Sequence, residues 1–114
     1  MYPQNTCLES DWKLFRKRVP VWQERYMGRL IEEYRSIMES EESSSEKFWA
    51  LEKRIRQDKK SPGVIVDMRR STMRLELMQM LFQGVIQPSD LEGFSQELRD
   101  GLTFVMQKYS GQGV

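Results

Sequence analysis

Residues 11–38 read DWKLFRKRVPVWQERYMGRLIEEYRSIM, and within them Phe15, Val19, Trp22, Tyr26, Leu30, Tyr34 and Ile37 recur at steps of three or four. An α-helix turns once in 3.6 residues, so this spacing draws one apolar line down a long helix. Ser10 is placed to cap its first turn, because a serine hydroxyl accepts from an amide that lacks a helical partner. Asp11 then suits the positive end of the helix dipole. Pro20 lies inside the run. Its ring removes a backbone donor and crowds the preceding turn, which predicts a kink or short break near Val19. The apolar phase continues across it, so both segments are expected to share one core face.

Three further helices follow from the same reasoning. Glu41-Glu42-Ser43-Ser44-Ser45 reads as a linker, and Ser43 with Glu46 fits a capping box that starts a second helix. That helix is expected to turn Phe48, Leu51 and Ile55 inward, to carry a favourable Glu52–Arg56 pair, and to end near Lys60. Ser61-Pro62-Gly63 is strong punctuation. Val64-Ile65-Val66 has no partner strand and reads as a loop or a first helical turn. Val66, Met73, Leu77, Met80 and Leu81 line a third helix, with Gly84 as its C-terminal cap. Ser89 and Glu92, just after Pro88, predict the start of a fourth helix that buries Leu91, Phe94, Leu98, Leu102 and Val105. The predicted fold is an all-α, compact helical bundle of three to five segments, its first helix long and kinked near Pro20. It forms one domain over residues 10–109, with flexible tails at 1–9 and 110–114.

The composition agrees with a folded domain. The chain has 114 residues, 39% hydrophobic and 31% charged, and a net charge of +1. That length suits one core without disulfides or metals. No apolar stretch approaches the ~20 residues of a membrane span. The first residues lack the basic and apolar regions of a secretion signal, so the cytoplasm is the expected compartment.

The residue types disfavour most enzyme chemistry. There is no histidine, the commonest general base and metal ligand, and the single cysteine, Cys7, builds neither a disulfide nor a zinc site. No glycine-rich phosphate loop occurs. Glu32 and Glu33 are adjacent, but neighbours on a helix point in different directions. No catalytic, metal or cofactor residues are assigned, and the chain is expected to act by binding.

Three features bear on what it binds. The first is the segment from Lys53 to Arg74, where eight basic residues (Lys53, Arg54, Arg56, Lys59, Lys60, Arg69, Arg70 and Arg74) face only Asp58 and Asp67, a balance of +6. Such a block suits an anionic partner, most naturally a phosphate backbone. The ordinary alternative is a solvated surface, with Lys59 and Lys60 complementing a helix C-terminus. Arg70 is the second feature. It falls near the third helix's apolar line, where its stem can pack while its head reaches water, or it can pair with an acid of the first helix such as Glu33, or with a partner chain. The third is the concentration of methionine and aromatic residues. Met68, Leu75, Met78, Trp22 and Trp49 are candidate interface residues, because methionine surfaces adapt to partners and tryptophan is enriched at binding hot spots. A third helix apolar on more than one face is either central in the bundle or covered in an oligomer.

The run FWALEKRIRQDKKSPGV at 48–64, together with VWQERYM at 21–27 and DLEGF at 90–94, resembles short uncharacterised proteins of Firmicutes over about residues 11–105. Some of those carry the label "multidrug transporter", which the absence of an apolar span argues against. The resemblance implies a small accessory protein of a bacterial genome and carries over no functional residues. The expected function is therefore a self-associating interaction or regulatory protein, a homodimer at micromolar concentration, that binds a protein partner through its Met/aromatic surface. The alternatives are a nucleic-acid-associated regulator using the 53–74 block and an inhibitor whose acidic segments, Glu39, Glu41, Glu42 and Glu46 with Asp90, Glu92, Glu97 and Asp100, mimic nucleic acid.

Overall fold

The computed structural model describes the backbone of residues 7–112 and the side chains of residues 7–109. Four α-helices follow one another: α1 (Glu9–Met38), α2 (Ser44–Asp58), α3 (Met73–Phe82) and α4 (Gln96–Gln112). Single 3-10 turns stand before α3, at Arg70–Thr72, and between α3 and α4, at Pro88–Leu91. There is no strand among the described residues.

α1 runs unbroken through Pro20, whose ring lies on the exposed side. There the lost amide hydrogen bond faces water, and the core face continues from Val19 to Trp22. The helix starts at Glu9, one residue before the predicted cap Ser10; Leu8 stands at the boundary in an extended conformation and offers no side-chain cap. Acidic Glu9 and Asp11 occupy the first turn instead.

The core gathers at one end of the molecule. Trp12, Phe15, Val19 and Trp22 of α1 pack against Met73, Leu77, Met80 and Leu81 of α3, Val85, Ile86, Leu91 and Phe94 of the connecting segment, and Leu98 and Leu102 of α4. Val105 is half-buried. Gly84 closes α3 as predicted. At φ +72 it takes the left-handed conformation that lets the Val85 amide reach the Met80 carbonyl at 2.8 Å and its own amide reach Leu81 at 3.2 Å.

α4 begins later than predicted. Ser89 and Glu92 do not start it, because Gly93 adopts φ +96, through which no right-handed helix continues. Ser95 is the cap: its hydroxyl accepts from the Leu98 amide at 3.3 Å. Asp11 then accepts from the Ser95 amide at 2.8 Å and from its hydroxyl at 2.6 Å, joining the first turns of α1 and α4. α4 also extends through Gln112, past the predicted boundary at 109. The remaining tail residues, 1–6 and 113–114, lie outside the described residues.

From Leu30 onward α1 leaves this core and pairs with α2 as a projecting antiparallel arm. The molecule measures 59 × 34 × 22 Å with a Cα radius of gyration of 17.0 Å. A compact chain of this length has a radius of ~13 Å. The Ser43–Glu46 capping box forms as expected at the start of α2. Of the three apolar residues expected inward, Leu51 alone turns to α1 and is half-buried; Phe48 and Ile55 are exposed, and α2 has no fully buried residue. α2 instead meets α1 along half-buried Lys47, Leu51, Arg54 and Asp58, a line rotated away from Phe48 and Ile55. Tyr34 donates to Asp58 at 2.6 Å, and Arg54 pairs with Glu33 at the same distance. Specific polar contacts, rather than the most apolar line, set the docked face.

Candidate interaction interface

The base of the arm is fastened by the Ser61-Pro62-Gly63 turn, and all three residues are buried. The Ser61 hydroxyl accepts from the Gly63 amide at 3.0 Å, and Gln23 of α1 donates to the Pro62 carbonyl at 3.3 Å. Gly63 lies so close to Tyr26 that a β-carbon there would sit 2.1 Å from the ring. The turn is therefore moulded on α1.

A second clamp holds the α3–α4 connection. Arg18 donates to the backbone carbonyls of Asp90, at 3.0 Å, and Glu92. Arg25 grips the Asp90 carboxylate with two hydrogen bonds, and Arg29 reaches the Gly84 carbonyl at 2.9 Å. Burial pushes the Asp90 carboxyl up, but hydrogen bonds from Arg25 and the Gln87 amide, with the charges of Arg25 and Arg18, outweigh it and hold it below the usual carboxylate value. These arginines escaped the sequence reading. Their spacing along one edge of the apolar line was the available signal.

Half of the basic block is held in ion pairs. Arg54 pairs with Glu33 and Asp58, Arg56 with Glu52, Arg69 with Asp67, and Arg70 with Glu9. Arg70 thus finds an acid of α1, but Glu9 rather than the Glu33 considered from sequence. It sits outside α3, in the preceding turn, and its guanidinium lies 5.3 Å from the centre of the Trp12 ring. Lys53, Lys59, Lys60 and Arg74 make no ion pair among the described residues. The first three belong to the arm and the fourth to α3, so the unpaired cations are divided between two elements.

A cavity of about 190 Å³ opens between the first turn of α1, the Arg70–Thr72 turn and the start of α4, with Cys7, Asp11, Arg70, Arg74 and Ser95 in its wall. Burial, with Glu9 and Asp11 adding to it against Arg70, pushes the Cys7 thiol up. It is held as a thiol, the less nucleophilic form. Among the described residues no cluster of His, Cys, Asp or Glu is arranged to hold a metal ion, and no helix is long and apolar enough to cross a membrane.

The structure divides the five candidate interface residues. Trp22, 3% exposed, belongs to the core, where its ring meets Phe94 with centroids 6.3 Å apart. The sequence places it on the apolar line, and that line is buried here. Met78 is half-buried against the same core. Met68 and Leu75 are exposed, and Trp49 is 63% exposed. Several exposed apolar residues were not anticipated. Phe48, also 63% exposed, meets the Trp49 ring edge-on at 4.9 Å. Met27, Ile31 and Met38 leave a second apolar line open on α1, and Phe82 of α3 meets Tyr109 of α4 edge-on at 5.7 Å. The open line on α1 was visible as apolar residues one step after Tyr26, Leu30 and Ile37.

No protein-family model matches the chain, and no curated protein or solved structure matches it either.

Proposed function

We propose that this chain is a non-enzymatic helical interaction protein that self-associates and engages a protein partner through exposed methionine, aromatic and aliphatic side chains. The resemblance to short uncharacterised proteins of Firmicutes supports reading it as a small accessory protein of a bacterial genome, and we set that role in the cytoplasm. The observation that carries the reading is α2: a fifteen-residue helix with no buried residue, presenting Phe48 and Trp49 to solvent. Helices of this length are marginal alone and draw their stability from packing an apolar face. Large exposed apolar surfaces mark interaction sites. Leu75 and Phe82, two turns apart on α3, add a second patch.

Self-association is tested by sedimentation of the full chain from low to high micromolar concentration. A mass rising toward the dimer supports the reading, and a constant monomer removes it. Hydrogen exchange on the same samples reports where. Amides of α2 gain protection with concentration if the arm is covered, whereas unchanged α2 protection in an associating chain moves the contact elsewhere.

A further inference from the structure

We propose that the arm pairs with the arm of a second copy, antiparallel and about a twofold axis, to complete a four-helix bundle; this rests on the self-association reading above.

The apolar residues of the arm share one face. On α1 the line toward α2 runs through Leu30, Tyr34 and Ile37, and exposed Ile31 and Met38 each follow one of its members. On α2 the line toward α1 runs through Lys47, Leu51, Arg54 and Asp58, and exposed Phe48 and Ile55 again follow its members by one residue. Positions one residue after the contact line turn to the same side in two antiparallel right-handed helices. Ile31, Met38, Phe48 and Ile55 therefore share one face across both helices, with Arg35 and Glu52 among them by the same rule, exposed Met27 one turn before Ile31 and Trp49 beside Phe48 at its rim. Two helices packed side by side with such a face are half of a four-helix bundle.

The area matches what a dimer needs. At ~200 Å² for a large apolar side chain, the exposed fractions of Met27, Ile31, Met38, Phe48 and Ile55 leave roughly 500 Å² open. A standard pair buries ~800 Å² per copy, about 60% of it apolar, so roughly 500 Å² is the apolar area that one copy of such a pair contributes.

Charge selects the second copy and its direction. Glu39, Glu41 and Glu42 crowd the tip of the arm, while Lys59 and Lys60 lie at its base, and none of the five makes an ion pair among the described residues. The length of α2 separates the two groups by ~22 Å, beyond direct pairing and beyond the Debye length at physiological salt. An antiparallel neighbour brings each tip onto the other copy's base. A parallel neighbour sets tip against tip and base against base, which like charge opposes. An isologous twofold contact satisfies both ends at once.

The test is cross-linking of the full chain with Cys7→Ser as background. Glu42→Cys mixed with Lys59→Cys is expected to give a covalent dimer, and Glu42→Cys alone is not. Ile31→Glu with Phe48→Glu alters only exposed positions; it is expected to leave the helical spectrum unchanged and weaken dimerisation at least about tenfold. A wild-type chain that stays monomeric overturns this pairing and the reading it rests on. A dimer in which Glu42→Cys couples to itself overturns the pairing alone. So does a dimer that Leu75→Glu with Phe82→Glu dissolves while Ile31→Glu with Phe48→Glu does not.

Discussion

Replacing Gly63 by alanine adds one methyl group at the base of the arm, and the surroundings set its cost. A β-carbon there would stand 2.1 Å from Cδ2 of Tyr26 and 2.6 Å from two further ring atoms. Ordinary van der Waals contact between carbons needs ~3.5 Å or more, so ring or turn must retreat by over an ångström. Neither is free to do so: Tyr26 packs against the core cluster, and the turn is held by Ser61 and by Gln23 on the Pro62 carbonyl. Overpacking of this kind costs ~1–3 kcal/mol, a fall in Tm of roughly 5–15 °C for a chain of this size. Two control sites isolate the cause. Gly28, inside α1, has nothing within 4 Å of its would-be β-carbon, so alanine there should stabilise by ~0.5–1 kcal/mol through backbone entropy alone. At Gly101 the clash is nominally worse, 1.7 Å from the Arg74 guanidinium, but that group is the end of an exposed side chain with no ion pair among the described residues. It swings aside, and Gly101→Ala should fall between no change and a gain of ~1 kcal/mol. Urea melts followed by circular dichroism read all three. Gly63→Ala at wild-type stability, or Gly101→Ala as damaging as Gly63→Ala, would refute the reasoning that the rigidity of the neighbour decides.

Trp22→Ala should cost ~3–5 kcal/mol in the same melts, whereas Trp49→Ala should leave monomer stability within about 0.5 kcal/mol; equal losses would contradict the division between core and surface. Asp11→Ala, which strands the Ser95 amide at the first turn of α4, should cost ~1–3 kcal/mol, and a change too small to measure would show that water replaces the carboxylate freely. Burial and the hydrogen bond to Asp58 push the Tyr34 hydroxyl up from 10.0 to about 12. A raised folded value means that this contact stabilises fully below pH 10 and loses its contribution as pH rises toward 12. Spectrophotometric titration should show a late-ionising tyrosine that Tyr34→Phe removes; its persistence in that variant would assign the shift elsewhere.

Much of the helical content was legible in the chain because it rests on local physics. The apolar period from Phe15 to Ile37, the Ser43–Glu46 box, the glycine at 84 and the punctuation at 61–63 each act within a few residues, and the structure realises each. Pro20 shows the limit even there. A proline's effect depends on whether its side of the helix faces core or solvent, and here it faces solvent. The candidate site was less legible. The +6 of residues 53–74 is a true property of the sequence, yet four of its arginines are paired by carboxylates, two of them distant in the chain: Glu9 and Glu33.

What the sequence determined by itself was the set of helices and the all-α class, since hydrogen bonding, capping and apolar period are short-range. Tertiary structure alone decided which apolar residues the chain covers. Phe15 and Phe48 each lie on the apolar line read for their helix, and only the packing of α1 against α3 and α4, and of α2 on α1, makes one core and the other surface. It also chose Ser95 over Ser89 as the cap, because Gly93 interrupts the backbone and Asp11 arrives from 84 residues away. The arm has the same origin: Asp58 and Arg54 bind Tyr34 and Glu33, and that polar register rotates Phe48 and Ile55 out to solvent.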